Sequence, residues 1–232
     1  MKQIVHQIME ETSLEISSID MEGCDITMEE AFHMVEFLQN RLNILRTKLL
    51  ESDFVSEQDE ICFFKELKPQ ILSQLLYFNK IYTIELKQPN GSNIIQKSYD
   101  EHELDSLTFF FNRNLDFYQY YRSNATHLDG YYFRRGKPKI RLGIDSSQFI
   151  SDSTFSTGYD YKVAKILSNE MLRIYLNKKL QHIDRISFHA HNKQINPKSK
   201  WTGTKAAAIE LGYGIYAAKV IDNGNADIRE IM

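Results

Sequence analysis

The chain has 232 residues, 25% of them charged and 42% hydrophobic, with a mean hydropathy of −0.42, which is ordinary for a soluble globular protein of one large domain or two small ones. Two cysteines, Cys24 and Cys62, exclude a disulfide framework and lack zinc-ligand spacing, so each reads as a small buried hydrophobe in a reducing, cytoplasmic compartment. No stretch suits a signal peptide or a membrane span, so no membrane partner is expected.

The formal net charge of −3 hides an asymmetry. Residues 1–110 carry 9 Lys/Arg against 20 Asp/Glu, and residues 111–232 carry 19 against 11. A basic half of this kind can attract phosphate backbones. Equally, the two halves can complement one another and pack together.

The first half is patterned for helices. Residues 2–14 form a short amphipathic helix with Ile4, Ile8 and Met9 on one side. Thr27 to Glu30 is a capping box opening a helix over 28–50. Its Val35, Leu38, Leu42, Leu45 and Leu49 alternate steps of three and four, the stripe of a helix in a bundle, with a dimeric coiled coil as the competing arrangement. Ser56 caps the next helix, which carries Ile61, Phe64, Ile71, Leu75, Phe78 and Tyr82 inward as far as residue 86. Pro69 removes a backbone donor and should kink or divide it. Residues 88–92 break the chain.

A fourth helix, 100–122, carries Phe109, Phe110, Phe111, Phe117, Tyr118, Tyr120 and Tyr121. Such runs can stack on single-stranded bases, but only Arg113 and Arg122 interleave them, so they read as core. Phe32, Leu42, Leu45, Phe64, Leu75, Phe78, Phe110, Phe111 and Phe117 are expected to be buried.

Periodicity fades over 123–157. Asp129-Gly130 and Arg135-Gly136-Lys137-Pro138 suggest turns, Arg134, Arg135, Lys137, Lys139 and Arg141 make a basic cluster, and Ile140, Leu142 and Ile144 alternate as a short strand does. Ser156 or Thr157 caps a fifth helix over 159–182, with Val163, Leu167, Met171 and Ile174 inward. Residues 183–200 are polar and basic, broken at Asn196-Pro197. Thr202 then caps a helix with a stripe of Ala208, Leu211, Ile215 and Ala218, widened by Ile209, Tyr213 and Tyr216. Asn223-Gly224 gives a turn, Asn225 a cap, and Asp227 the first turn of a short helix with Ile228 and Ile231 inward. This is either an ordinary two-helix hairpin or the supporting part of a helix-turn-helix whose recognition helix comes after Met232.

Little suggests catalysis. His189 and His191 could share one face of a strand as half of a zinc site, with His182 and Asp184 the nearest further ligands. Satisfied or exposed histidines in a basic loop explain them far better, and a turn or cap explains His127 and Asp129. There is no GxSxG, no phosphate-cradling glycine loop and no HExxH. No catalytic residue, metal ligand or cofactor is expected, and a hydrolase built on His189 and His191 is the third alternative.

Three stretches carry a resemblance. WTGTKAAAIELGYGIYAAKVIDNGNADIREI (201–231), FFKELKPQILSQLLYFNKIYTIEL (63–86) and FFNRNLDFYQYYRSNATHLDGYYFRR (110–135) resemble the RteC family, regulators of the excision and transfer of tetracycline-inducible conjugative transposons. The segments occur in the family's order and cover most of the chain after about residue 55. The resemblance implies a mainly α fold, with an N-terminal helical bundle followed by a helix-turn-helix or winged-helix-like C-terminal module, truncated before the family's further basic segment. The expected domains are a bundle over 1–125, a basic connecting segment with one long helix over 126–200, and the start of the module over 201–232.

Also implied is a positive transcriptional regulator of excision genes, downstream of a tetracycline-responsive two-component system, with double-stranded promoter DNA as partner. Lys193, Lys198, Lys200, Lys205 and Arg229 are the expected phosphate contacts, and Arg134, Arg135 and Lys137 a second patch. Self-association is a further expected partner mode. Without a recognition helix, binding should be weak and nonspecific, with Kd about 10⁻⁴ to 10⁻⁶ M. The alternative is a helical protein–protein interaction scaffold lacking DNA readout.

Overall fold

The computed structural model describes residues 2–17, 19, 26–52, 54–136, 152–194, 202–221 and 226–231. Every regular element among them is helical. The chain divides into two compact units, Met1–Ser187 and Phe188–Met232. No helix among the described residues is long and apolar enough to cross a membrane.

The first unit begins with α1 (Lys2–Ser17) and α2 (Met28–Glu51). At the start of α2, Thr27 Oγ1 accepts from the Glu30 amide at 3.2 Å and Glu30 Oε2 accepts from the Thr27 amide at 2.8 Å, the reciprocal capping box. Val35, Leu38, Leu42, Leu45 and Leu49 are all buried, and α2 packs on α4 (Lys68–Lys87), so the stripe is covered within the chain. Phe32 is exposed, contrary to expectation. The buried row starts at Ala31 and Met34, and Phe32 sits one position round the helix, its ring 5.6 Å from Tyr82.

Between these helices lies α3 (Glu57–Cys62), capped by Ser56, whose Oγ accepts from the Asp59 amide at 3.2 Å. It runs into a π-helical turn, Phe63–Leu67, before α4. Pro69 therefore acts just upstream of itself. A prolyl ring clashes with the carbonyl four residues back, here Lys65, and the wider turn, in which the Lys68 amide donates to the Phe63 carbonyl, relieves that clash. Its consequence is that Phe63, Phe64, Lys65, Lys68 and Pro69 are all buried.

The expected fourth helix is two. α5 (Asn93–Arg113) starts about two turns before residue 100, and Asn114, at φ −114° and ψ 27°, separates it from α6 (Leu115–Arg122). Phe117 and Tyr120 are buried, Leu75, Phe110, Phe111, Tyr118 and Tyr121 are half-buried, and Phe109 is exposed. A short α7 (Asp129–Tyr132) follows. The alternating Ile140, Leu142 and Ile144 lie outside the described residues.

The last long helix, α8, spans Tyr159–Gln194, well past residue 182. No proline falls between Tyr159 and Pro197, so the polar stretch after His182 simply continues the helix. His189 and His191 thus lie on helix, not on the strand on which their pairing depended. Val163 is buried, Leu167 and Met171 are half-buried, and Ile174 is exposed. The buried row runs instead through Ala164, Ser168, Leu172, Tyr175, Leu176, Lys179 and Ile183. Its polar members hid it from a count of apolar spacing.

The second unit contains α9 (Lys205–Ala217) and α10 (Ile228–Ile231), packed on each other. Thr204, not Thr202, caps α9, accepting from the Ala207 amide at 3.2 Å. Asp227 Oδ1 accepts from the Arg229 amide at 3.2 Å, consistent with its place at the start of α10. Asn223, Gly224 and Asn225 lie outside the described residues. The expected stripe on α9 is largely uncovered: Ala208, Leu211 and Ala218 are exposed, Ile215 is half-buried, and the buried residue of α9 is Gly212.

Candidate functional site

The π turn places two lysines on the core side of the first unit. Lys65 Nζ donates to Asp129 Oδ1 and Oδ2 at 2.8 and 2.9 Å and to the Ala125 carbonyl at 3.0 Å. The Tyr120 hydroxyl donates to Asp129 Oδ1 at 2.7 Å and accepts from the Leu128 amide at 3.1 Å. Burial first, then the bond to Asp129, pushes the Tyr120 phenol well above its ordinary pKa. Asp129 is therefore the anchor of α7 rather than merely a turn residue.

Lys68 reaches Asp160 Oδ2 at 2.5 Å and also donates to the Phe155 carbonyl. Asp160 Oδ1 accepts from Ser156 Oγ at 2.8 Å and from the Thr157 amide at 3.1 Å, while Thr157 Oγ1 accepts from the Asp160 amide at 3.3 Å. Thr157 is thus the cap of α8, and the carboxylate inside the first turn suits the helix dipole.

A third ionic centre lies further along α8. Lys179 Nζ donates to Glu85 Oε1 at 2.6 Å and to Gln88 Oε1 at 3.3 Å, and sits 3.8 Å from Asp100 Oδ1. The Tyr175 hydroxyl donates to the same Glu85 oxygen at 3.0 Å. Asp100 is fully buried and neither of its carboxylate oxygens has a hydrogen-bond partner. Burial raises its pKa, with Lys179 pulling the other way. These centres join α4 and the π turn before it to α5, α7 and α8, and none pairs a nucleophile with a base. Among the described residues no group of three His, Cys, Asp or Glu side chains could hold a metal ion.

The basic cluster after α7 is partly engaged. Arg134 Nη2 lies 2.7 Å from Glu57 Oε1, and Arg135 Nε lies 2.7 Å from Glu60 Oε1, both acids on α3. Lys137, Lys139 and Arg141 lie outside the described residues. Of the expected phosphate contacts, Lys193 is on the last turns of α8, Lys198 and Lys200 lie outside the described residues, and Lys205 opens α9 and is exposed. Arg229 is on α10 and is also exposed. The α9–α10 pair thus brings two of the five onto packed neighbours.

Sequence reasoning missed Lys65, Lys68, Asp160 and Lys179 as structural residues and gave Asp129 only a turn or cap. A signal was present: Lys68 stands four residues after Phe64 and three before Ile71, in the row of the core. A charge at that spacing demands a buried partner.

Residues 62–232 match a family model described as RteC protein. No curated protein and no solved structure matches the chain.

Proposed function

The chain belongs to the RteC family, and from that membership we propose that it is a positive transcriptional regulator binding double-stranded promoter DNA that controls excision and transfer genes of a conjugative transposon. The observation that carries this reading beyond the family is the exposure of Lys205 and Arg229 on the paired α9 and α10. Exposed cations on neighbouring helices suit phosphate contacts, which hold a protein on duplex without reading its sequence. Arg134 and Arg135 are less suited, being held by Glu57 and Glu60.

Titration of the chain against an excision promoter and a scrambled duplex, over a range of salt, tests this. Lys205→Gln and Arg229→Gln should each weaken binding to both duplexes alike and flatten the slope of log K against log salt by about 0.9 per lost contact. An affinity indifferent to salt overturns the reading.

A second reading, a helical protein–protein interaction scaffold, is favoured by one specific observation. Ile209, Leu211, Tyr213 and Tyr216 on α9 are all exposed, and a helix apolar on most sides is ordinarily covered. Sedimentation equilibrium of the chain and of Tyr213→Ser separates the two. Self-association lost in the variant, with no DNA affinity in either protein, would support the scaffold.

A further inference from the structure

The Lys68–Asp160 pair at one end and the Glu85–Lys179 pair at the other align α8 alongside α4, and the approach of Asp100 to Lys179 brings α5 to the same seam. On the part of α8 between those pairs, Ser168 and Asn169 are both 0% exposed. Ser168 Oγ, Asn169 Nδ2 and Asn169 Oδ1 have no hydrogen-bond partner. Buried polar groups are ordinarily satisfied, and an orphan one costs the full desolvation of that group.

Lys165 stands three and four residues before them, so all three side chains rise from one face of the helix. Lys165 is partly buried and has no hydrogen bond or ion pair among the described residues. Burial pushes its ammonium below the usual lysine range, and the nearby ammonium of Lys80 pushes the same way. Lys80 is itself held by Glu103 at 2.6 Å, so Lys165 has a cation for a neighbour and no carboxylate of its own.

We propose that Lys165, Ser168 and Asn169, in the field of Lys80, form a binding site for a small oxyanion of the phosphate or carboxylate class. The donors match that chemistry: Lys165 Nζ carries three protons, Asn169 Nδ2 two and Ser168 Oγ one, the lysine standing one turn before the other two, and Asn169 Oδ1 can accept from the ammonium. Charge decides between an anion and a water molecule. Water satisfies the serine and the asparagine equally well, but it leaves Lys165 desolvated beside another cation. An oxyanion satisfies the orphan donors and compensates the ammonium in one step, as buried charges require. The site is independent of the DNA reading, because it lies on α4 and α8 and uses none of the cations assigned to phosphate contacts.

The experiment is thermal unfolding and calorimetric titration of the full 232-residue chain with inorganic phosphate and with acetate, the ionic strength held constant with sodium chloride. Phosphate or acetate should raise Tm saturably and chloride should not, and the responding anion identifies the ligand class. Lys165→Met keeps the aliphatic stem and should weaken the anion's Kd by roughly tenfold or more, while the unliganded Tm holds or rises. Ser168→Ala, which removes a single donor, should weaken it less and serves if Lys165→Met does not fold. Absence of a saturable anion effect on the unaltered chain overturns the proposal. So does an unchanged response in Lys165→Met, or a response lost in Lys205→Gln instead, which would put the anion on α9.

Discussion

Replacing Lys68 with methionine isolates the cost of a buried charge. The side chain of Lys68 is 5% exposed and that of Asp160 is 0% exposed, so neither ion can recover water when its partner is removed. Breaking such a pair from one side costs about 3–5 kcal/mol. In Lys68→Met the Asp160 carboxylate keeps the Ser156 hydroxyl and the Thr157 amide and stays at the start of α8, where the helix dipole returns about 0.3–1 kcal/mol. The loss should therefore sit near the low end, about 3 kcal/mol. Asp160→Asn leaves the Lys68 ammonium with the Phe155 carbonyl and no counter-charge, so its loss should be larger, about 4 kcal/mol. The double variant should lose clearly less than the sum of the singles, since each single contains the penalty of stranding the other ion. Urea melts of the four proteins close the cycle, provided the m-values agree. A loss under about 1 kcal/mol for Lys68→Met, or strict additivity, would refute the placement of this pair in a dry core.

Leu45→Ala, at a fully buried position of α2, should cost about 2–5 kcal/mol, and a loss under about 0.5 kcal/mol would mean the stripe is not packed. Phe117→Ala should cost about 3–5 kcal/mol, whereas Phe109→Ser, on the exposed side of α5, should stay within about 0.5 kcal/mol in the same urea melts. Asp100 has a raised folded-state pKa, so its contribution is fully present below the unfolded value of about 4 and is lost as pH rises through the folded value. Asp100→Asn should remove that loss, so the variant gains on the parent as pH rises; a variant that instead falls further behind with rising pH would show that Lys179 stabilises the carboxylate.

The helices of the first half were legible because their signals are local. Thr27 with Glu30 fixed one helix start, and the leucines of α2 gave its buried row at a spacing that needs no partner to be read. Two kinds of feature were not legible. One is backbone accommodation: Pro69 announced a disturbance, but the π turn that absorbs it, and the inward rotation of Lys65 and Lys68 that follows, depend on packing against α7 and α8. The other is the buried polar row of α8, where Ser168, Asn169 and Lys179 occupy positions that apolar counting assigns to solvent. Ile174 continues an apolar series and so reads as inward, yet the row that packs is one step round the helix.

The charge asymmetry of the chain offered two explanations, and they divide by position. Three cations of the basic half that belong to the first unit go to acids of the acidic half: Arg134 to Glu57, Arg135 to Glu60, and Lys179 to Glu85. The reverse pairs also form, Lys65 with Asp129 and Lys68 with Asp160, so the halves are stitched together in both directions. Complementary packing therefore accounts for part of the imbalance without any external partner. Lys205 and Arg229 differ, because both are exposed and neither has an ion pair among the described residues. A cation left in water keeps its hydration and can exchange it for a phosphate at little cost, whereas one bound to a carboxylate must first break that bond. If DNA is the partner, its salt-dependent affinity should follow the cations of the second unit and be indifferent to Arg134 and Arg135. Charge removal at Arg135 should then lower stability through the lost contact with Glu60 and leave the salt slope of binding unchanged. A slope that falls in Arg135→Gln while stability holds would reverse that division.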